Sequence, residues 1–183
     1  SSRRSQLIEA LTAEKCRVKD HQSIALNKSI KHHVKYLENQ IKLLDEKIAK
    51  IISADKILNE KSKRAQTLKG IGEITANTLV SLLPELGLYN RAEIACLCGL
   101  APKNKDSGTK TGKRHIHGGR FNVRKALYMP AVSSIIHNPQ MREYYDHLKS
   151  KGKESKVALV AIMRKLIITL NAMIRDNKDW CSK

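Results

Sequence analysis

A serine followed by glycine, Ser107-Gly108, lies within the most basic segment of the sequence, residues 103–125. A hydroxyl that attacks a phosphate must be exposed, and nearby cations must stabilise the charge of the transition state. The same dipeptide is also typical of an ordinary turn. From the residues alone, Ser107 is therefore either a nucleophile for phosphate chemistry or a turn residue.

Basic side chains crowd this segment, and Asp106 is its single acid. Cations this close repel one another unless an anion binds them, so the pattern predicts contacts with nucleic-acid phosphates. A solvated basic face is the alternative. The candidate phosphate-binding residues are Lys105, Lys110, Lys113, Arg114, Arg120, Arg124 and Lys125.

A second candidate for phosphate contact is the sequence LKGIGEITA at residues 68–76. Two helices joined by apolar-x-Gly-apolar-Gly have the form of a helix-hairpin-helix, in which glycines let the backbone approach a partner. The second helix directs its unpaired amides at a phosphate, so Gly70 and Gly72 are predicted to bind nucleic acid without reading bases. Glu73 would repel a phosphate, which leaves a packing role open.

Four irregularly spaced cysteines in a chain of this length do not indicate a disulfide framework. Cys96 and Cys98, with His115 and His117, could supply metal ligands, but zinc sites usually separate paired cysteines by two to four residues. We therefore predict no metal site in this chain and expect Cys96 to be buried on a helix spanning residues 91–98.

Composition indicates which elements carry these residues. Thirty-five Lys and Arg against 17 Asp and Glu give a net charge of +18, which predicts a polyanionic partner. With 41% hydrophobic and only 4% aromatic residues, the chain is predicted to be mainly α. The apolar run 157–174 is interrupted by Arg164 and Lys165, so we predict no membrane span and a cytoplasmic, nucleoid-associated protein.

The N-terminal region carries a heptad pattern, which predicts a coiled coil and a homo-oligomer. A shorter helix over residues 7–18 is expected to fold back through a turn near residues 21–27, although one unbroken helix is the alternative. Because no glycine occurs before Gly70, we place a boundary near Ser62, with a coiled-coil region at 1–62 and a helical domain at 63–183. The apolar positions of the repeat are Ile30, Val34, Leu37, Ile41, Leu44, Ile48, Ile51 and Leu58.

Three further helices are predicted after the basic segment, over residues 121–137, 139–151 and 154–176. One of Tyr144 and Tyr145 is expected to pack and the other to face solvent. Arg164 and Lys165 are expected to pair with an acid such as Asp146, and the alternatives are that they extend to solvent along apolar neighbours or point toward the basic loop.

From residue 67 to residue 180 the sequence closely resembles the C-terminal domain of transposases of the insertion-sequence 110/116/902 family, whose relatives include Piv-type DNA invertases. The heptad region resembles the coiled coil of that family. The resemblance departs at Lys69, where the hairpin commonly has proline, and at Pro130, where the family has a small residue. The blocks that carry it are LKGIGEITANTL, CLCGLAPKNKDSGTKTGKRHIHGGRFNVRKALY, HNPQMREYYDHLKSKGK and KVALVAIMRKLIITLNAMIRD.

The resemblance implies recombination in two parts. In the family, an N-terminal ribonuclease-H-like domain holds divalent metal (Mg) through four acids, and the C-terminal domain supplies a serine that forms a covalent phosphoserine with DNA. The family's serine precedes a glycine after the GLAP block, which corresponds to Ser107. Many members are guided to their DNA by a bridge RNA.

The expected function is therefore that of a transposase fragment that binds DNA, together with a guide RNA, and supplies a serine nucleophile for strand exchange. We expect the chain to lack the metal-binding domain, to hold no cofactor itself and to cleave no DNA alone. The alternative is a non-enzymatic helix-hairpin-helix module that binds nucleic acid and assembles through a coiled coil.

Overall fold

A computed structural model describes residues 2–20, 24–104, 108–109, 112 and 114–181. The described residues form eight helices and one two-stranded ribbon, which confirms the mainly α fold class. The elements are α1 (Ser2–Asp20), α2 (Ile24–Ala54), α3 (Lys56–Thr67), α4 (Glu73–Leu82), α5 (Arg91–Leu97), β1 (Pro102–Lys103), β2 (His115–Ile116), α6 (Phe121–His137), α7 (Pro139–Ser150) and α8 (Ser155–Arg175).

The chain divides into two compact units, Ser1–Asp55 and Lys56–Lys183. This division lies between α2 and α3, whereas the sequence boundary near Ser62 falls inside α3. Helix α3 packs against α4 and α8, so it belongs to the second unit.

In the first unit, α1 and α2 pack as an antiparallel pair. Arg4 near the start of α1 forms an ion pair with Asp45 near the end of α2, and Lys15 Nζ lies 2.7 Å from Glu38 Oε1. The fold-back is therefore the observed arrangement, and α2 begins at Ile24, within the predicted turn. Leu37 of the heptad series is buried but Ile51 is 67% exposed, so α1 covers only part of the apolar repeat.

The second unit is built around α8. This helix places its apolar positions in the core, where α3, α5, α6 and α7 pack against it. By length and composition α8 is also apolar enough to cross a membrane, but 56% of its most apolar stretch is buried within the protein, as in the core helix of a soluble protein. The absence of a membrane span stays a prediction.

Helix boundaries in this unit follow local signals. Asn138 caps α7, since its side chain accepts a hydrogen bond from Gln140 N, and Pro139 stands at the first helical position. At α5, Asn90 and Glu93 form a reciprocal capping box. Helices α6, α7 and α8 lie within one residue of their predicted bounds.

Candidate nucleic-acid interface

The ribbon of β1 and β2 joins the two ends of segment 104–114, which lies within the basic segment 103–125. The strands are antiparallel, with Pro102 opposite Ile116 and Lys103 opposite His115. Ser107, Lys105, Lys110 and Lys113 lie outside the described residues. The structure therefore describes the base from which the segment extends, and the role of Ser107 stays a prediction.

The backbone segments on either side of the ribbon cross at two glycines, Gly99 before β1 and Gly119 after β2. Gly99 and Gly119 both have positive φ angles, +66° and +64°, and a Cβ on Gly119 would lie 2.2 Å from Gly99 N. Arg120 N donates to Leu97 O at 2.8 Å across the same crossing. Only glycine has both the backbone freedom and the missing side chain that this approach requires, so the crossing fixes where segment 104–114 begins and ends.

Arg124 stabilises this crossing through hydrogen bonds. Its Nη1 donates to Gly118 O at 2.7 Å and to Gly99 O at 3.1 Å, which links the two backbone strands. The guanidinium carbon also lies 5.5 Å from the centroid of the Phe121 ring. These contacts give Arg124 a positioning role beneath the basic segment.

Arg120 is also paired within the protein. Its Nη1 donates to Leu82 O and Glu85 Oε2, both at 2.8 Å, and Nη2 donates to Glu85 Oε1. The hydrogen bond from Arg120 is the main reason why the pKa of Glu85 lies below its ordinary value. Arg120 therefore ties the start of α6 to the segment that follows α4.

Arg114 and Lys125 are exposed, Arg114 just before β2 and Lys125 on α6. Both belong to the predicted phosphate contacts, as do Arg120 and Arg124. Of these four described candidates, Arg120 and Arg124 stabilise the base of the segment, and Arg114 and Lys125 lie at the surface.

The glycines of the predicted hairpin have different surroundings. Gly70 has a φ of +102°, and a Cβ there would meet Ser134 Oγ at 2.1 Å, so this glycine packs against α6. Gly72 is exposed at the N-terminus of α4, where a Cβ would meet nothing within 4 Å and no side chain caps the helix. Of the two glycines, Gly72 is therefore the one accessible to a partner.

A cleft of about 600 Å³ lies beside the ribbon, between β1, β2, α7 and α8. Sequence analysis did not predict it, because its cations come from separate elements. Apolar side chains also line it: Leu100, Ile116, Val157, Val160, Ala161 and Ile168. The cations that line it are Arg91, Arg114, Lys156, Arg164 and Lys165.

Tyr144 forms part of the wall of this cleft, and Lys165 Nζ lies 4.4 Å from the centroid of its ring. Neither Arg164 nor Lys165 forms an ion pair with Asp146, so the predicted pairing is wrong for that acid. Tyr144 and Tyr145 are both half-buried against the core, so the expectation that one of them faces solvent is wrong.

The cysteine prediction needs correction. Cys96 is exposed, and Cys98 is the buried residue, because Cys98 follows the buried Ile94 by four positions on the same helical face. Burial raises the pKa of the Cys98 thiol to about 12, so this thiol stays neutral. Among the described residues, no three His, Cys, Asp or Glu side chains lie close enough to hold a metal ion.

Comparison with known proteins identifies the class. Residues 62–146, from α3 to α7 and including the ribbon, match the model of the Transposase IS116/IS110/IS902 family. A pilin gene-inverting protein of Moraxella bovis is 31% identical over 152 residues, which are 81% of this chain and 47% of the relative. The chain belongs to the IS116/IS110/IS902 transposase family.

Two insertion-element proteins are also similar. The IS110 uncharacterized 43.6 kDa protein of Streptomyces coelicolor is 31% identical over 64% of this chain and 29% of its own length. The IS116 uncharacterized 44.8 kDa protein of Streptomyces clavuligerus is 28% identical over 80% of this chain and 36% of its own length. The chain thus spans about half or less of the curated relatives it matches.

Proposed function

We propose that this chain is the serine-bearing part of a DNA recombinase that moves an insertion sequence. The observation that carries the proposal is the family match, whose bounds include β1, segment 104–114, β2 and α6. The relative from Moraxella bovis is named as a gene-inverting protein, and inversion is likewise a rearrangement of DNA. The net charge of +18 suits a DNA partner.

In the proposed reaction, the Oγ of Ser107 attacks a DNA phosphorus atom and forms a phosphoserine ester. The bond from that phosphorus to one deoxyribose oxygen breaks, and the released hydroxyl takes a proton. A hydroxyl of another DNA end then attacks the phosphoserine, restores a phosphodiester and returns the proton to Ser107. The energy of the phosphodiester is kept in the ester between the two steps.

The crossing of Gly99 and Gly119 supports this chemistry by fixing the base of the reactive segment. Nucleophilic attack requires reacting atoms about 3–3.5 Å apart in line, and a segment with fixed ends limits where its serine can lie. Arg124 and Arg120 strengthen the base through the contacts described above. Arg114 and the neighbouring lysines supply positive charge near the phosphate.

A metal is expected from the resemblance, but the described residues of this chain do not form a site for it. We propose that Mg is held by four acids of a ribonuclease-H-like domain that works with this chain. We also propose that a bridge RNA guides the protein, that the coiled coil forms a homo-oligomer, and that the protein acts on cytoplasmic DNA. Helices α3 and α4 with Gly72 would form the helix-hairpin-helix that contacts phosphates.

The proposal is tested by trapping the covalent intermediate. The complete transposase, with metal, guide RNA and labelled DNA, should give a protein–DNA adduct that survives denaturant. Ser107→Ala should abolish the adduct while leaving DNA affinity within about twofold, because affinity depends on charge. Thr109→Ala is the matched control, since it removes a hydroxyl two residues away and should keep the adduct.

An adduct that persists in Ser107→Ala would exclude Ser107 as the nucleophile. If neither protein forms an adduct but both bind DNA, the non-enzymatic binding module becomes the better description. Ser107→Cys keeps a nucleophile with altered geometry, and we expect much reduced activity from it.

A further inference from the structure

The cleft between the ribbon and α8 combines two kinds of surface that duplex DNA does not use together. Five cations line it and no Asp or Glu does, so its net charge is strongly positive. Of these, Arg91, Arg114, Lys156 and Arg164 form no ion pair with a described carboxylate. Unpaired cations at this density indicate an anionic ligand.

The floor of the same cleft is apolar. Val157, Val160, Ala161 and Ile168 lie on one face of α8, and Leu100 and Ile116 also line the cleft. Val157 is 52% exposed, so this end of the floor is open to solvent. An apolar floor stabilises a ligand only if the ligand brings a flat or apolar group to it.

We propose that this cleft binds an unpaired stretch of nucleic acid, with bases on the apolar floor and Tyr144, and phosphates on the cations. Duplex DNA hides its bases in the stack and would present only phosphates, which leaves the floor unused. An unpaired strand exposes both groups, and such strands are commonly bound by a basic groove with aromatic stacking. This inference rests on the proposed function, because that function makes nucleic acid the polyanion.

The dimensions of the cleft agree with this ligand. From Lys156 to Ile168 the lining face of α8 extends roughly 18 Å, at about 1.5 Å per residue. Along the axis of one stacked strand the phosphates rise by about 3.4 Å per nucleotide, so the face can meet several of them. The cleft adjoins β1 and β2, and therefore the base of the segment that contains Ser107.

The test measures binding of the whole chain to three labelled oligonucleotides of one sequence: single-stranded DNA, single-stranded RNA and duplex DNA. Arg164→Ala should weaken binding of single strands about tenfold and of the duplex less than about twofold. Lys151→Ala is the matched control, because it removes one exposed cation outside the cleft and should change no affinity more than about twofold. The DNA and RNA arms show which strand the cleft prefers.

The apolar floor is tested separately. Ala161→Met fills the floor without changing charge, so it should weaken the normal single strand but not an abasic strand of equal length. In the wild-type chain, a strand carrying 5-iodouracil should photocrosslink to the peptide containing Tyr144. Thermal unfolding of each variant checks that it folds. The crosslink uses the wild-type chain, so it tests the inference even if a variant does not fold.

The inference is overturned if Arg164→Ala and Lys151→Ala behave alike and the crosslink maps outside the cleft. In that case the Ser107 adduct can still form, and the proposed function stands without the cleft. If Arg164→Ala weakens binding of the duplex as much as binding of the single strands, the cleft inference also fails, while the recombinase proposal is decided by the Ser107 adduct. A chain that binds none of the three oligonucleotides contradicts both.

Discussion

Arg120 and Glu85 form a two-point ion pair that ties the beginning of α6 to the segment after α4. The pair is partly exposed, with 37% of the Arg120 and 26% of the Glu85 side chain accessible. The guanidinium also donates to the Leu82 carbonyl, so it is held on two sides. A cation that the sequence assigns to phosphate thus has partners inside the protein.

This pair should make stability depend on pH in acid. The pKa of Glu85 is lowered by the hydrogen bond from Arg120, so the contribution of the pair is complete above the ordinary value of 4.5 and is lost as pH falls through the lower, folded value. We expect Glu85→Gln to cost about 1 kcal/mol at pH 7 and progressively less toward pH 3. Thermal unfolding of both proteins across this range measures the difference, and a difference independent of pH would contradict the role of ionised Glu85.

Salt titrations should distinguish the exposed Arg114 from Arg120, which is paired with Glu85. Arg114→Ala should reduce the slope of log affinity against log salt by about 0.9 on duplex DNA, because one phosphate contact is lost. Arg120→Ala should leave the slope unchanged and lower the melting temperature instead. Fluorescence anisotropy below the melting temperature of both variants provides the measurement. A flattened slope in Arg120→Ala would mean that DNA displaces Glu85 from this arginine.

The glycine crossing should tolerate no side chain. Gly119→Ala adds a clash with Gly99 to the cost of a positive φ, whereas Gly152→Ala at a φ of +74° meets nothing within 4 Å. We expect about 1–2 kcal/mol of destabilisation for Gly152→Ala and at least about 1–3 kcal/mol more for Gly119→Ala. Denaturant unfolding gives both values. Equal losses would show that the crossing adjusts to a methyl group.

Thiol labelling should distinguish the cysteines. Burial raises the pKa of Cys98 to about 12, so at pH 8 its thiol is protonated and covered, and iodoacetamide should not modify it. Cys16, Cys96 and Cys181 are exposed and should react. Mass spectrometry of the native chain should show three adducts, and a fourth only in denaturant. Rapid labelling of Cys98 in the native chain would exclude its place in the core.

Self-association is expected through the face of α2 that α1 leaves uncovered. Tyr36, Leu43 and Ile51 are 57%, 49% and 67% exposed and follow one another at spacings of seven and eight. Burying them is favourable by about 25 cal/mol per Å², so we expect a dimer or larger oligomer. Sedimentation of Leu43→Glu should show a shift toward monomer, whereas Lys42→Glu on the neighbouring exposed position should not. A wild-type monomer at micromolar concentration would contradict the coiled-coil proposal.

Much of the helical architecture could be predicted because its signals are local. Asn138 and Pro139 mark the start of α7 in the sequence, whereas no Gly or Pro marks the turn between α1 and α2, so the sequence left an unbroken helix open there. The partners of a side chain are harder to predict from the sequence. Glu85 lies far along the chain from Arg120, and nothing in the sequence links them. The error at Cys96 has the same origin, because the residue type indicated burial but the phase of a short helix decided it.

The cleft could not be predicted for a related reason. Its cations lie on α5, on α8 and beside β2, and only packing brings these elements together. Arg164 and Lys165 were the one visible signal, as charges within an apolar run. The sequence indicates that charges in an apolar run have a specific environment, but it does not show which neighbouring residues form that environment.

The crossing of Gly99 and Gly119 also bears on how this protein can change through evolution or engineering. The two ends of segment 104–114 are joined by the pairing of β1 with β2, and Arg120 N donates to Leu97 O beside them, so we expect a longer segment to leave these contacts in place. Doubling the length of a closed loop costs only about 0.6 kcal/mol. The segment is therefore a natural position for insertions, where residues or a reporter peptide can be added without unfolding the helices that support it.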